Sequence, residues 1–308
     1  MRETQEKVQV TSLGDDLAFL DITTEWDLTS SWQDWKPGIT VPDSFRPSTL
    51  PRVIAVCNQK GGAGKTTTTL ELAMALIARG LRVRIIDADD QAASISVWLR
   101  YFLDDRPEEL RYNLRDLYFD AKVKLSDAAY RTPFDNLAFI PSFPDLGDVD
   151  EKNPIGADSC LQRRLRLGND DVDVTIIDCG PRLGTLTVSA LVAAHDVIIP
   201  VNASSGLDIH GVGALQRVIA TVQETLNPEL RVAAAVLTDF SRSKLARKIG
   251  GSLSRAYPDA VILPARTNVK VGEAQLAKQP LRQFAPGQTT TMDYDMGARV
   301  LFGLGAAA

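Results

Sequence analysis

The eight residues Lys60-Gly61-Gly62-Ala63-Gly64-Lys65-Thr66-Thr67 constrain this chain more than any other stretch. They follow the apolar run RVIAVCNQ (52–59) and precede a segment in which Leu70, Ala73, Met74 and Ile77 recur at helical spacing, with Gly80 as a stop. A strand, a glycine-rich turn and a helix from Thr66 to Arg79, in that order, aim backbone N–H groups and a helix N-terminus at one point. That arrangement is a cradle for phosphate. The ordinary phosphate loop, GxxxxGK(S/T), needs glycine where this chain has Gln59, so the match is to the variant KGGxGK(S/T), with a lysine before the glycines. Residues 60 to 67 are the candidate nucleotide site. Lys65 is placed to neutralise β- and γ-phosphates, and the Thr66 hydroxyl to ligate Mg2+ beside ATP.

Beyond the loop, apolar runs begin near residues 82, 137, 173, 196, 231 and 260, most of them separated by helical stretches. The alternation predicts an α/β fold: a mostly parallel twisted sheet flanked by helices, with a short N-terminal extension. Asp178 ends the run VTIIDCG, and Asp87 and Asp89 end the run after the loop's helix, followed by Gln91. One acidic strand tip is usually a solvated turn. Three at the C-terminal edge of strands beside a phosphate loop stand where open α/β sheets bind ligands, so Asp87 and Asp178 are candidate metal groups.

No run of about 18 apolar residues exists and the N-terminus has no signal-like apolar stretch, so we expect no membrane partner and a cytoplasmic chain. Cys57, Cys160 and Cys179 lack CxxC spacing and only His195 and His210 accompany them, which argues against zinc and a disulfide framework. Residues 1–50 differ from the rest: they carry nine acids against four bases and hold Trp26, Trp32 and Trp35. There VTSLGDDLAFLDI could form a hairpin strand, and PGITVPDSFRPSTLP reads as an extended linker because each proline bars helix. We therefore divide the chain into an accessory segment, 1–50, and a phosphate-loop domain, 51–308.

Over roughly residues 52 to 304 the sequence resembles the ParA/MinD family of P-loop ATPases. The segment Asp87-Ala88-Asp89-Asp90-Gln91 is similar to the DxDPQ segment of the ParA branch, and IPVNASSGLDIHG, LTDFSRSKL and LPARTNVKVGEA resemble later ParA segments in order. The chain departs from the usual DTPPSLG, reading Asp178-Cys179-Gly180-Pro181-Arg182-Leu183-Gly184. The resemblance implies a sandwich dimer around ATP. In it Lys60 reaches the partner's nucleotide, Asp89 positions the attacking water, and Asp87 and Asp178 touch the metal shell. It also implies slow hydrolysis stimulated by a ParB-like centromere-binding partner, and a nucleoid-associated location.

Charge adds an independent argument for nonspecific DNA. Residues 211–285 hold eleven bases and five acids within a chain of net charge −5. Lys244, Arg247, Lys248 and Arg255 recur on one expected helix, so several can face one phosphate backbone, with Arg242, Arg266 and Lys270 as further candidates. The rival readings are a positioning ATPase for another cargo and a small-molecule ligase or kinase using the same loop. A membrane regulator of the MinD kind would need a basic amphipathic C-terminal helix, and the chain ends MGARVLFGLGAAA.

Overall fold

In a computed structural model that describes residues 38–91, 95–99, 112–168, 172–205 and 208–304, the apolar runs become strands. These are β1 (Arg52–Val56), β2 (Val83–Ala88), β3 (Tyr130–Arg131), β4 (Leu137–Ile140), β5 (Val174–Cys179), β6 (Asp196–Asn202), β7 (Arg231–Phe240) and β8 (Val261–Arg266). The longer helices are α1 (Lys65–Ile77), α2 (Cys160–Leu167), α3 (Thr185–Ala193), α4 (Asp208–Thr225), α5 (Lys244–Ala256), α6 (Lys270–Leu276) and α7 (Thr289–Phe302). One eight-stranded sheet has the order β3-β4-β2-β5-β1-β6-β7-β8, and all neighbours are parallel except β3 against β4.

Every residue of β2 and β5 is buried, as a parallel sheet covered on both faces requires. On one face α1 and α7 bring Leu70, Leu76, Tyr294 and Leu301 against Ile54, Ile85 and Ile176. On the other, Leu161, Leu191, Leu215 and Ile249 from α2 to α5 pack with Ala55, Ile86 and Ile177. Burying each such side chain stabilises the fold by about 2 kcal/mol. Because β1 lies between β5 and β6 while the chain leaves it for β2, the C-terminal end of β1 is a switch point of the strand order, the place where open α/β sheets bind ligands.

The extended reading of residues 38–50 holds, but the segment is docked. Thr40 exchanges two backbone hydrogen bonds with Ile262, each 3.0 Å, and so covers the outer edge of β8. Phe45 is buried, and Ser48 N donates to the Leu301 carbonyl at 2.7 Å. The Ser48 hydroxyl donates to Asp196 at 2.5 Å, and Arg52 and Arg231 meet the same carboxylate at 2.8 and 2.6 Å. Burial would raise the Asp196 pKa, but the hydrogen bonds from Arg52, Arg231 and Ser48 outweigh it and hold the value below the ordinary one. The hairpin expected in VTSLGDDLAFLDI lies outside the described residues.

Candidate nucleotide-binding site

The glycine loop turns as its composition requires. Gly62 and Gly64 adopt φ of 76° and 89°, left-handed values that a side chain resists, and Gly64 is the N-cap of α1. The helix thus starts at Lys65, one residue earlier than the spacing suggests, and Gly80 (φ 78°) follows its end. A Cβ on Gly64 would lie 2.8 Å from a methyl of Thr238, whose hydroxyl donates to the Ala63 carbonyl at 2.8 Å. The tip of β7 therefore clamps the loop from outside. From β6, the Pro200 carbonyl accepts from Asn58 at 2.6 Å, and Asn58 Oδ1 in turn accepts from Lys60 N.

Lys65 is buried, and its ammonium donates to the Lys60 carbonyl at 3.2 Å. Thr66 Oγ1 donates to Asp178 Oδ2 at 2.8 Å, and Thr69, one turn further along α1, donates to Oδ1 at 3.1 Å. The register pairs Asp87 with Asp178 across β2 and β5. Asp87 accepts from the backbone N–H of Asp89 and Ser96, and Asp89 from that of Gln91. All three aspartates are buried. Burial first, and then the neighbouring Asp87 charge, push the Asp178 pKa up to about 8; burial likewise raises that of Asp89. Lys60 is half-buried, and its ammonium donates to Ser205 Oγ at 3.1 Å.

This donor set fits a hard cation held together with phosphate. It offers one hydroxyl and carboxylate oxygens whose mutual repulsion a cation would relieve. No cluster of three or more His, Cys, Asp or Glu encloses a metal among the described residues. The cysteines are buried and free, with Cys57 Sγ 3.0 Å from Cys179 Sγ just behind the site.

The basic candidates are less concentrated than the sequence suggests. Arg242 and Lys244 are exposed, but Arg247 and Lys248 are half-buried on α5. Arg266 is fastened to Asp293 at 2.6 Å and Lys270 to Glu273 at 2.6 Å. Arg231 and Arg282 pair with Asp196 and Asp295, so three bases of the 211–285 window meet acids outside it. That halves its excess positive charge. Sequence reasoning also missed Thr69, Ser205 and Thr238. Thr69 carried a signal, being three residues beyond Thr66 on one helix face; the other two come from strand ends distant in sequence and carried none.

The chromosome partitioning protein ParA of Caulobacter vibrioides is 34% identical over 240 residues, which span 75% of this chain and 86% of that protein. A cobyrinic acid a,c-diamide synthase from Mycobacterium smegmatis, solved with an ATP analog and magnesium, is 31% identical. It superposes with a TM-score of 0.65 over 82% of this chain and 93% of its own. An ATP complex of Cyanothece McdA shares the fold at 21% identity, with a TM-score of 0.72 over 85% of this chain and 100% of that one. The AAA domain family matches residues 51–232. With the glycine loop, the strand-tip aspartates and the ParA relative in agreement, the chain belongs to the ParA/MinD-type AAA domain family of P-loop NTPases.

Proposed function

We propose that this chain is a partition-type ATPase that binds Mg-ATP, pairs with a second copy around it and holds DNA nonspecifically until hydrolysis. The observation that carries the reading is the Thr66–Asp178 contact at the mouth of a glycine loop whose lysine is buried. Amides from Gly61 to Thr67 cradle the phosphates, and Lys65 neutralises their charge. Thr66, Asp178 and Asp87 hold the metal, which when bound supplies Lewis acidity to the phosphate oxygens. Asp89 orients the attacking water. Lys60, lodged on Ser205 in the single chain, is the cation offered to the partner's nucleotide.

DNA contact falls to the exposed Arg242 and Lys244, with Arg247, Lys248, Arg266 and Lys270 in support. Two copies on one dimer raise affinity without any new contact type. A ParB-like protein is the partner that would stimulate release. Sedimentation of the chain with plasmid DNA, in ATP, ADP and no nucleotide, tests this. Cosedimentation in ATP that fades between about 50 and 200 mM salt supports it; none with any nucleotide overturns it. The likeness to a chain named as a cobyrinic acid amidating enzyme keeps a small-molecule ligase as second reading. Turnover that DNA leaves unchanged but a carboxylic acid plus an amide nitrogen donor accelerates would favour it.

A further inference from the structure

Resting on the ATPase reading above, we propose that Asp90 and Arg182 form a tie across the mouth of the site that positions Asp89 for hydrolysis. Arg182 Nη1 lies 3.1 Å from Asp90 Oδ2; the arginine side chain is 60% exposed and the aspartate 10%. The pair joins the loop after β2 to the loop after β5. The same loops meet through backbone, Gly180 N donating to the Ala88 carbonyl at 3.2 Å. The Asp89 carbonyl accepts from Ser142 Oγ at 2.9 Å, and the Arg182 carbonyl accepts from Thr187 Oγ1 at the start of α3. The tie therefore links two anchored loops, with the Asp89 carboxylate between them.

Gly180 completes the seat. A Cβ there would stand 2.9 Å from Asp89 Oδ1, so any larger residue would press on the carboxylate and displace it. Asp90, Gly180 and Arg182 are also among the positions, with Cys179, where this chain departs from the DxDPQ and DTPPSLG segments. Asp90 and Arg182, 92 residues apart, meet each other, and Gly180 lies against Asp89. An ion pair this exposed contributes little to folding, so its effect belongs to geometry. Geometry matters most at a group that must orient a water, where a displacement of about 1 Å costs up to a hundredfold in rate. Asp90 and Arg182 are positioning residues in this scheme, acting through Asp89.

Steady-state hydrolysis of Mg-ATP by the full chain, with binding of a fluorescent ATP analogue measured alongside, tests the tie. Arg182→Gln and Asp90→Asn should each lower kcat by about threefold to tenfold, leaving KM and analogue affinity unchanged. The double variant should be no slower than either single one, because both remove the same interaction. Arg182→Lys, which keeps the charge, should recover most of the rate, and Gly180→Ala should lose more than Arg182→Gln while still binding the analogue. Wild-type kcat in Arg182→Gln, a loss confined to KM, or multiplicative losses in the double variant would overturn the tie and leave the ATPase reading intact. Absence of Mg-dependent hydrolysis by the wild type, even with DNA, would overturn both.

Discussion

Asp178 and Asp196 occupy one sheet, are equally buried and lie at opposite ends of it. Asp196, at the start of β6, is enclosed by Arg52, Arg231 and Ser48, and its pKa is held low against burial. Asp178, at the end of β5, receives two threonine hydroxyls and faces Asp87, and its pKa rises to about 8. The fold completes the electrostatics of its N-terminal strand edge from its own side chains. At the C-terminal edge the negative charge is left for something else to balance, the mark of a site and not of a scaffold. The same residue type is structural in one place and available in the other because of which cations the chain supplies.

Four measurements can break or sharpen this contrast. The largest effect should come from Lys65→Ala, which removes a buried cation facing the phosphates: ATP affinity should fall about a thousandfold, or about 4 kcal/mol, with little change in thermal stability. Normal affinity in that variant would end the assignment of the C-terminal edge. Asp196→Ala should do the reverse, losing about 3 kcal/mol in urea unfolding while binding ATP normally, since it strands two arginines. In the wild type, the stability Asp196 brings is present above the ordinary carboxylate pKa and lost as pH falls through its lowered folded value.

Asp178→Asn should stabilise the nucleotide-free chain by about 1–2 kcal/mol at pH 8 and less at pH 6. The folded carboxyl titrates near 8, above its unfolded value, so the folded wild type holds the extra proton across that window and loses stability as pH rises. The asparagine has no such slope. Equal stability of the two proteins at both pH values in EDTA would mean that the carboxylate is already balanced. The smallest effect, about 1 kcal/mol lost, is expected for Ser48→Ala, one donor of three at Asp196; a loss as large as that of Asp196→Ala would place the network's strength in the docked segment.

Much of this was legible because it is local. The glycine loop, Lys65, Thr66 and the strand-tip aspartates follow from residues adjacent in sequence, and the apolar runs set the starts of seven strands to within a residue, though not the two-residue β3, and the first strand ends three residues before its run does. What was not legible joins distant segments. Thr238 over Gly64, Ser142 on Asp89 and Arg182 on Asp90 depend on strand order, which no single run specifies. The basic stretch shows the converse: counting charges along residues 211–285 misses Asp293 and Asp295 on α7, which fold back onto Arg266 and Arg282. Pro42, Pro47 and Pro51 correctly forbade helix but could not reveal a partner in Ile262.

The strap formed by residues 38–50 also sets an order of events during synthesis. Thr40 waits for Ile262, and Ser48 for Leu301, residues made long after them. The β1–β5 half, with its glycine loop, can assemble while the rest is still being made, since domains fold progressively from the N-terminus. Ser48 cannot be seated until α7 has been made, whereas Thr40 needs only β8. A nascent chain that has β8 but not yet α7 holds the strap by one anchor, and a strap that slips off bares a strand edge able to recruit strands from other molecules.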